Sequence, residues 1–307
     1  MHTLVTGGAG FIGAALVERL LAEGHTVDVV DNLVTGSLWN LADARAGAGR
    51  DLTFHQLDVR SPDVADLIVR RHPEVVWHLA AHSAGASSPA TDAHVNVVGS
   101  LGVLEGVRAA AARKLVVVSS AAVYGELDGR AAATEQDPRQ PRSPDAIAKH
   151  TVDAYLAAYA EIESVVFTSV IPSAVYGPRA TGGVVAAWAE CLAAGRPCTV
   201  FGDGRQVRDF VFVDDVVDAL ARAGDHADGM FVNAATGVGT SLLDLHEAMV
   251  GLTHGDPTLR HAPARPGEAF RSVLDPARAD DVLGWKAWTS LAEGLEVVVR
   301  AAMPAGA

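Results

Sequence analysis

A doubly wound α/β protein, with a parallel sheet covered by helices on both faces and a smaller α/β unit after it, is predicted by three features of the sequence. A glycine-rich turn joins a short apolar run to an apolar-periodic segment close to Met1. Near-continuous apolar strand candidates then alternate with helical stretches, the pattern of a sheet buried on both faces. Beyond residue 172 the alternation loosens and Gly and Pro become frequent. A first domain over residues 1–172 and a second over 173–307, with segments interleaved between them, follow from that change.

The chain opens with Thr3–Gly13, TLVTGGAGFIG, followed by an apolar-periodic segment over Phe11–Ala22. Strand, glycine turn and helix start, in that order, form the pyrophosphate cradle of a Rossmann-type sheet. Glycines let the backbone turn tightly and approach the phosphates, while the helix start offers free N–H donors and partial positive charge. Gly8, Gly10 and Gly13 fit G-x-G-x-x-G, and Gly7, Gly10 and Gly13 fit the wider spacing. The second strand, Val27–Asp31, ends on an acid at the expected distance. Asp31 can accept both ribose hydroxyls of NAD and would repel the 2′-phosphate of NADP.

Asn32–Arg50 reads as an irregular connection. Strands over Leu52–Leu57, Val75–Leu79 and Leu115–Ser119 alternate with helices near Val64–Arg71 and Val95–Ala111, and a further strand spans Val165–Val170. Ligands of open α/β sheets lie at the carboxyl ends of the strands, which gathers Asp58, His78–His82 and Ser119–Ser120 around one cofactor. Thr240-Ser241 and Thr289-Ser290 read as caps of helices over Leu242–Val250 and Leu291–Arg300.

Of 307 residues, 49% are hydrophobic and 20% charged, which describes an ample folded core. A net charge of −13 argues against a nucleic-acid or anionic-membrane surface. Cys191 and Cys198 are too few for a disulfide framework and lack companions at metal-ligand spacing. The first strand begins almost at Met1, and no apolar run reaches membrane-spanning length, so a cytoplasmic protein without a bound metal is expected.

The motifs Thr6–Gly13 (TGGAGFIG), Val30–Gly36 (VDNLVTG), Leu57–Val59 (LDV), His78–His82 (HLAAH), Asn96–Gly99 (NVVG) and Ser119–Gly125 (SSAAVYG) follow one another in the first half. Val175–Arg179 (VYGPR), GDG at Gly202–Gly204, RDF at Arg208–Phe210 and RPGE at Arg265–Glu268 complete the series. In this order they resemble the extended short-chain dehydrogenase/reductases of the NAD-dependent nucleotide-sugar epimerase/dehydratase group. The resemblance implies that Gly7, Gly10, Phe11, Ile12 and Gly13 cradle the dinucleotide, and that Asp31 and Asn32 meet its ribose. It implies that Asp58 holds the adenine amino group, that Val59, Leu79, Ala80, Ala81 and Ser119 line the cofactor, and that Lys149 bonds the nicotinamide ribose. Ser120 would be the catalytic serine. His82, Phe201, Arg208 and Arg265 would face a UDP- or dTDP-sugar, the arginines because a guanidinium fork suits phosphate oxygens. The resemblance also implies a homodimer, through the helices near Val95–Ala111 and Ala146–Ala160.

The group's acid/base pair is Tyr-x-x-x-Lys, and here the segment is Asp145-Ala146-Ile147-Ala148-Lys149. None of Tyr124, Tyr155, Tyr159 and Tyr176 lies four residues before a lysine. An aspartate starts near pKa 3.9 and Lys149 at i+4 is expected to lower it further, leaving a feeble base. Its carboxylate also stops roughly 3–4 Å nearer the backbone than a phenol oxygen. As an acid following Ser143-Pro144, Asp145 equally suits a helix start with no chemical role. Lys149 is one of three lysines in the chain, beside Lys114 and Lys286, in a sequence that otherwise uses Arg.

Two further departures stand where the group has an asparagine and an arginine, namely Ala174 and Ile171, and both are expected to face the substrate. Ala121 and Ala122 occupy the positions where related dehydratases and decarboxylases carry acids. The expected activity is therefore epimerase-like, with Ser120, Asp145 and Lys149 as candidate catalytic residues. A catalytically silent NAD-binding homologue and a one-way NAD-dependent reductase are the alternatives.

Overall fold

The computed structural model describes residues 1–82, 88–253 and 256–303. In the first half β1 (His2–Thr6), α1 (Phe11–Ala22), β2 (Thr26–Asp31), α2 (Ala42–Ala48), β3 (Leu52–Gln56), α3 (Asp63–Arg71) and β4 (Val75–His78) alternate. They are followed by α4 (Pro89–Asp92), α5 (Gly99–Ala110), β5 (Lys114–Val118), α6 (Pro144–Glu163) and β6 (Phe167–Pro172). The second half holds β7 (Ala174–Tyr176), α7 (Gly183–Ala193), β8 (Cys198–Phe201), β9 (Val207–Phe212), α8 (Val213–Ala223) and β10 (Met230–Ala234). Last come β11 (Gly239–Ser241), α9 (Leu242–Thr253), β12 (Leu259–Ala262), β13 (Arg271–Ser272), α10 (Ala277–Leu283) and α11 (Leu291–Ala302).

Seven strands form one parallel sheet in the order β10-β6-β5-β4-β1-β2-β3. β1 pairs with β2 on one side and β4 on the other, so the strand order reverses there and opens a crevice at the carboxyl ends. Side chains alternate across the sheet, and the two cores reflect this. One contains Leu16 and Leu20 of α1 with Val216 and Leu220 of α8; the other contains Val64 and Ile68 of α3 with Val103 and Val107 of α5 and Val152 of α6. Trp77 of β4 closes the first by donating its indole N–H to Leu220 O at 2.9 Å.

β10 comes from the second half and extends the sheet at its edge beside β6. The rest of the second half forms a sheet of β7, β9, β11 and β13 and a two-stranded β8–β12 pair. Ser290 caps α11 in a capping box with Glu293, and the Ser241 hydroxyl accepts from Asp244 N at 3.1 Å, as the sequence predicts.

Two elements differ from expectation. The stretch Asn32–Arg50 is not irregular: it contains a 3₁₀ turn at Leu38–Leu41, capped by Ser37, and then α2. It is ordered from a distance, since Ser37 N and the Asn40 amide both donate to Ala9 O at 2.9 Å. The helix expected over Val95–Ala111 instead begins at Pro89 and passes through a π-helical turn, Ala93–Val98, before α5. Such a widened turn inserts one residue and re-aims the side chains before it, and π turns concentrate at functional sites.

Candidate active site

The crevice at the strand ends is built first from glycines. Gly7 holds φ at +71°, and a Cβ there would stand 2.6 Å from Ala80 N. A Cβ at Gly13 would stand 2.1 Å from Gly7 O. Only glycine permits this packing of turn against helix, and Gly10 ahead of α1 offers no side chain to cap the helix N–H groups. Those donors are left for an anion.

Asp31, at the end of β2, is fastened on both oxygens. It accepts from Ala9 N at 3.0 Å and Leu33 N at 2.8 Å, so its carboxylate stands over the glycine turn in a defined orientation. Gly7, Gly10, Asp31, Asn32, Val59, Leu79, Ala80 and Ala81 line one cleft, together with Val30, Thr35, Leu57 and Val95. Phe11, Ile12 and Gly13 form the first turn of α1 behind it. Asp58 lies between the lining residues Leu57 and Val59. Its carboxylate accepts two bonds from the Arg60 guanidinium, at 2.8 and 2.7 Å, and one from Asn32 at 2.8 Å. The Arg60 bonds hold its carboxyl well below the usual carboxylate range. Thr35 and Val95 escaped the sequence reading. Thr35 sits in the stretch taken as irregular, and Val95 is aimed by the π turn, which carries no sequence signature.

Ser119 turns away from the cleft: its hydroxyl donates to Asp153 Oδ2 at 2.8 Å, within a buried group that includes Ser169 and Arg139. Ser120 is half-buried and caps the 3₁₀ turn Ala121–Tyr124, its Oγ accepting from Ala122 N at 3.2 Å. Lys149 Nζ donates to Val118 O at 2.8 Å, and burial lowers its pKa.

Asp145 occupies the first turn of α6, behind the Ser143 cap. Contrary to the expected depression by Lys149, its pKa is raised. Burial is the largest cause, Lys149 pulls the other way, and Asp92 adds to the rise. Its Oδ1 accepts from Asn96 Nδ2 at 3.1 Å. Asn96, buried in the π turn, also bonds the backbone of His82 twice: Nδ2 donates to His82 O at 2.8 Å and Oδ1 accepts from His82 N at 2.7 Å. His82 Nδ1 in turn stands 3.0 Å from Asp92 Oδ1. Below them His78 bridges Thr6 and Ser100, and burial drives its pKa down to about 3, so it stays neutral.

The two departures thought to face the substrate divide. Ile171 is fully buried among Val123, Tyr124 and Val273, on the interior of β6, and does not face a cleft. β-strand alternation aims it into the core. Ala174, at the start of β7, is half-buried.

A second cleft lies among residues after 172. Phe201 and Arg265 line it with Thr181, Trp188, Gln206 and Glu268, and the Arg265 guanidinium sits 4.0 Å over the Phe201 ring. Arg208 stands beside it, donating to Glu268 Oε1 at 2.6 Å. Gln206, which the sequence did not single out, ties the wall together through a 2.6 Å bond to Phe201 O.

Comparison with known proteins agrees with this architecture. Residues 3–238 match the model of the NAD dependent epimerase/dehydratase family. The UDP-glucose 4-epimerase of Mycolicibacterium smegmatis is 42% identical, with 98% of each chain covered. A putative UDP-glucose 4-epimerase of Methanocaldococcus jannaschii is 33% identical over 97% of each. Among solved structures, the Thermotoga maritima UDP-glucose 4-epimerase with UDP-glucose superposes with a TM-score of 0.92 at 35% identity, covering 98% of both chains. The Thermus thermophilus enzyme in complex with NAD gives 0.91 at 35% identity, covering 98% of this chain and 99% of that one.

Proposed function

The chain belongs to the NAD-dependent epimerase/dehydratase family, and from that premise we propose that it epimerises a UDP-hexose at a hydroxyl-bearing ring carbon. The observation that carries the reading is the glycine cradle faced by the doubly fastened Asp31, with Ser120 following β5, two strands from β1, and Lys149 anchored on Val118 O at the carboxyl end of β5. The cradle fits a dinucleotide because a Cβ at Gly7 or Gly13 would fill it.

Bound there, NAD would take up and return the hydrogen of the sugar carbon. The chain's own residues do the rest. The free N–H groups of α1 hold the pyrophosphate and Asp31 holds the ribose hydroxyls. Asn32, Val59, Leu79, Ala80 and Ala81 wall the cofactor. Lys149, anchored on Val118 O, presents its remaining donors to a ribose and a positive charge to the reacting oxygen. Ser120 holds that oxygen by hydrogen bond. Phe201 and Arg265 form a stacking and ion-pairing seat for a nucleoside diphosphate, which Arg208 can join when it exchanges Glu268 for phosphate. Ala121 and Ala122 provide no acid for elimination, which favours inversion over dehydration.

The division at residue 172 stays our reading, the second part supplying the nucleotide seat. Pairing of two copies through α5 and α6 accords with the exposed apolar residues Val98, Ile147, Tyr155 and Ile162 on and beside them. No helix among the described residues is long and apolar enough to cross a membrane, in keeping with a cytoplasmic site of action.

The test is incubation of the holoprotein with UDP-glucose, UDP-galactose and dTDP-glucose, separating the products chromatographically. Interconversion of UDP-hexoses without net reduction of NAD is expected. Stoichiometric NADH would favour a one-way reductase. Binding of NAD and UDP-hexose with no product would favour a silent homologue, the reading that the tether of Asp145 to Asn96 supports.

A further inference from the structure

We propose that His82, oriented by Asp92, is the general acid/base of this site in place of the tyrosine that Asp145 replaces. The proposal rests on the epimerase reading above.

Removing the proton of a sugar hydroxyl requires a group that can bind and release it near neutral pH, and imidazole is the side chain suited to that task. His82 directly follows Ala80 and Ala81, which line the cofactor cleft. Its Nδ1 stands 3.0 Å from Asp92 Oδ1, and its other nitrogen, Nε2, has no hydrogen-bond partner among the described residues. The ring is 20% exposed while Asp92 is only 7% exposed. A solvated surface pair would leave both groups in water. Here the carboxylate is buried behind the ring, an arrangement that selects one tautomer and stabilises the imidazolium once it forms.

The backbone is fixed as firmly as the ring. Asn96 is buried and makes both bonds to the His82 peptide while its amide also donates to Asp145. The same asparagine therefore sets the position of His82 relative to the first turn of α6, where the substituted acid stands. The titratable groups shown to interact with His82 are Asp92 of α4 and Asp145 of α6.

In the forward step Nε2 takes the hydroxyl proton. The O–H electron pair would become the second bond of the carbonyl, and NAD, when bound, would supply the acceptor for the C–H pair. On return the C–H bond re-forms on the other face, and the imidazolium gives the proton back to the oxygen. No net proton or electron leaves the site. Asp92 and Asn96 act through His82 and are positioning residues.

The experiment measures UDP-galactose turnover by the holoprotein and by His82→Ala and Asp92→Asn, with NAD and UDP-hexose affinities and melting curves as controls. His82→Ala should lower kcat by about 10²–10³-fold, the usual range for losing a general base, with KM and both affinities within about twofold. Added imidazole should restore part of the rate, which a purely structural role would not allow. Asp92→Asn keeps the ring but removes the charge behind it, so kcat should fall less and the acidic limb of the rate profile should move to lower pH. Full activity in His82→Ala overturns the dyad and leaves the epimerase reading intact. A loss of activity matched by lost affinity or folding, with no imidazole rescue and an unmoved profile in Asp92→Asn, overturns it as well. An unmodified protein that turns over no UDP-hexose defeats the epimerase reading and the dyad together.

Discussion

Asn96 donates its amide to the Asp145 carboxylate at 3.1 Å, so the first turn of α6 is tied to the π turn Ala93–Val98. The contact satisfies one oxygen of a half-buried carboxylate, and Lys149 lies one turn away.

Replacing that acid is the most direct probe of the site. Asp145→Tyr recreates Tyr-x-x-x-Lys with Lys149 already seated on Val118 O. UDP-hexose turnover should rise by about tenfold or more, a modest share of what a positioned proton donor contributes. Steady-state assays at pH 7 and 8 check this. An unchanged rate would mean that the reacting sugar oxygen does not reach a tyrosine at this position, in accord with His82 as the base.

Cofactor choice is the second outcome. Asp31→Ala removes the proposed acceptor of the ribose hydroxyls and the brace of Ala9 N and Leu33 N. NAD affinity should fall by about tenfold, near 1.4 kcal/mol, while affinity for NADP rises as repulsion of the 2′-phosphate is lost. Calorimetric titration of both cofactors against the apo-protein measures it, and equal affinities in the unmodified protein would contradict the role of Asp31.

The nucleotide seat gives a third. Arg265→Ala removes the guanidinium lying over Phe201, and UDP affinity should fall by about 10–100-fold with NAD affinity unaltered. Competition of free UDP against a fluorescent UDP analogue reads this out.

A buried charge on β2 contributes to acid stability. Asp28 of β2 is fully buried and meets Arg71, His55 and His2. Burial alone would raise its pKa, yet the hydrogen bonds from Arg71, His55 and His2 outweigh it and the net shift is downward. The folded state thus holds its proton more weakly than the unfolded chain. Its stabilisation is complete above the unfolded carboxylate pKa, near 4, and is lost as pH falls through the lower folded value. Asp28→Asn should cost about 3 kcal/mol at pH 7, the scale for breaking a buried pair, and flatten the acid side of the stability profile. Urea unfolding between pH 3 and 7 tests both.

Oligomeric state is the last. Val98 is 51% exposed at the π turn and Ile162 is 72% exposed near the end of α6, apolar positions that the proposed pairing would cover. Sedimentation at micromolar concentration should show a dimer, and Ile147→Glu with Tyr155→Glu should shift it to monomer. A monomeric unmodified protein would contradict the pairing.

What the sequence determined was local. The glycine turn, the acid closing β2 and the i to i+4 placement of Asp145 and Lys149 are relations between near neighbours, and the alternation of strands and helices is a periodicity; each can be read along the chain. The capped helices and the parallel sheet follow for the same reason. Tertiary structure decided whatever depends on partners distant in sequence. The direction of the Asp145 shift turned on burial and on Asp92, which outweigh a lysine four residues away. Ile171 went to the core because of the face of β6 it occupies, and residues 32–50 took up helix because Ala9 O waits for Ser37 and Asn40. The pairing of His82 with Asp92 depends on a π turn that no residue pattern announces. Spacing along a chain fixes which groups can meet within one element, whereas desolvation and charge sum over every element that packs around a group.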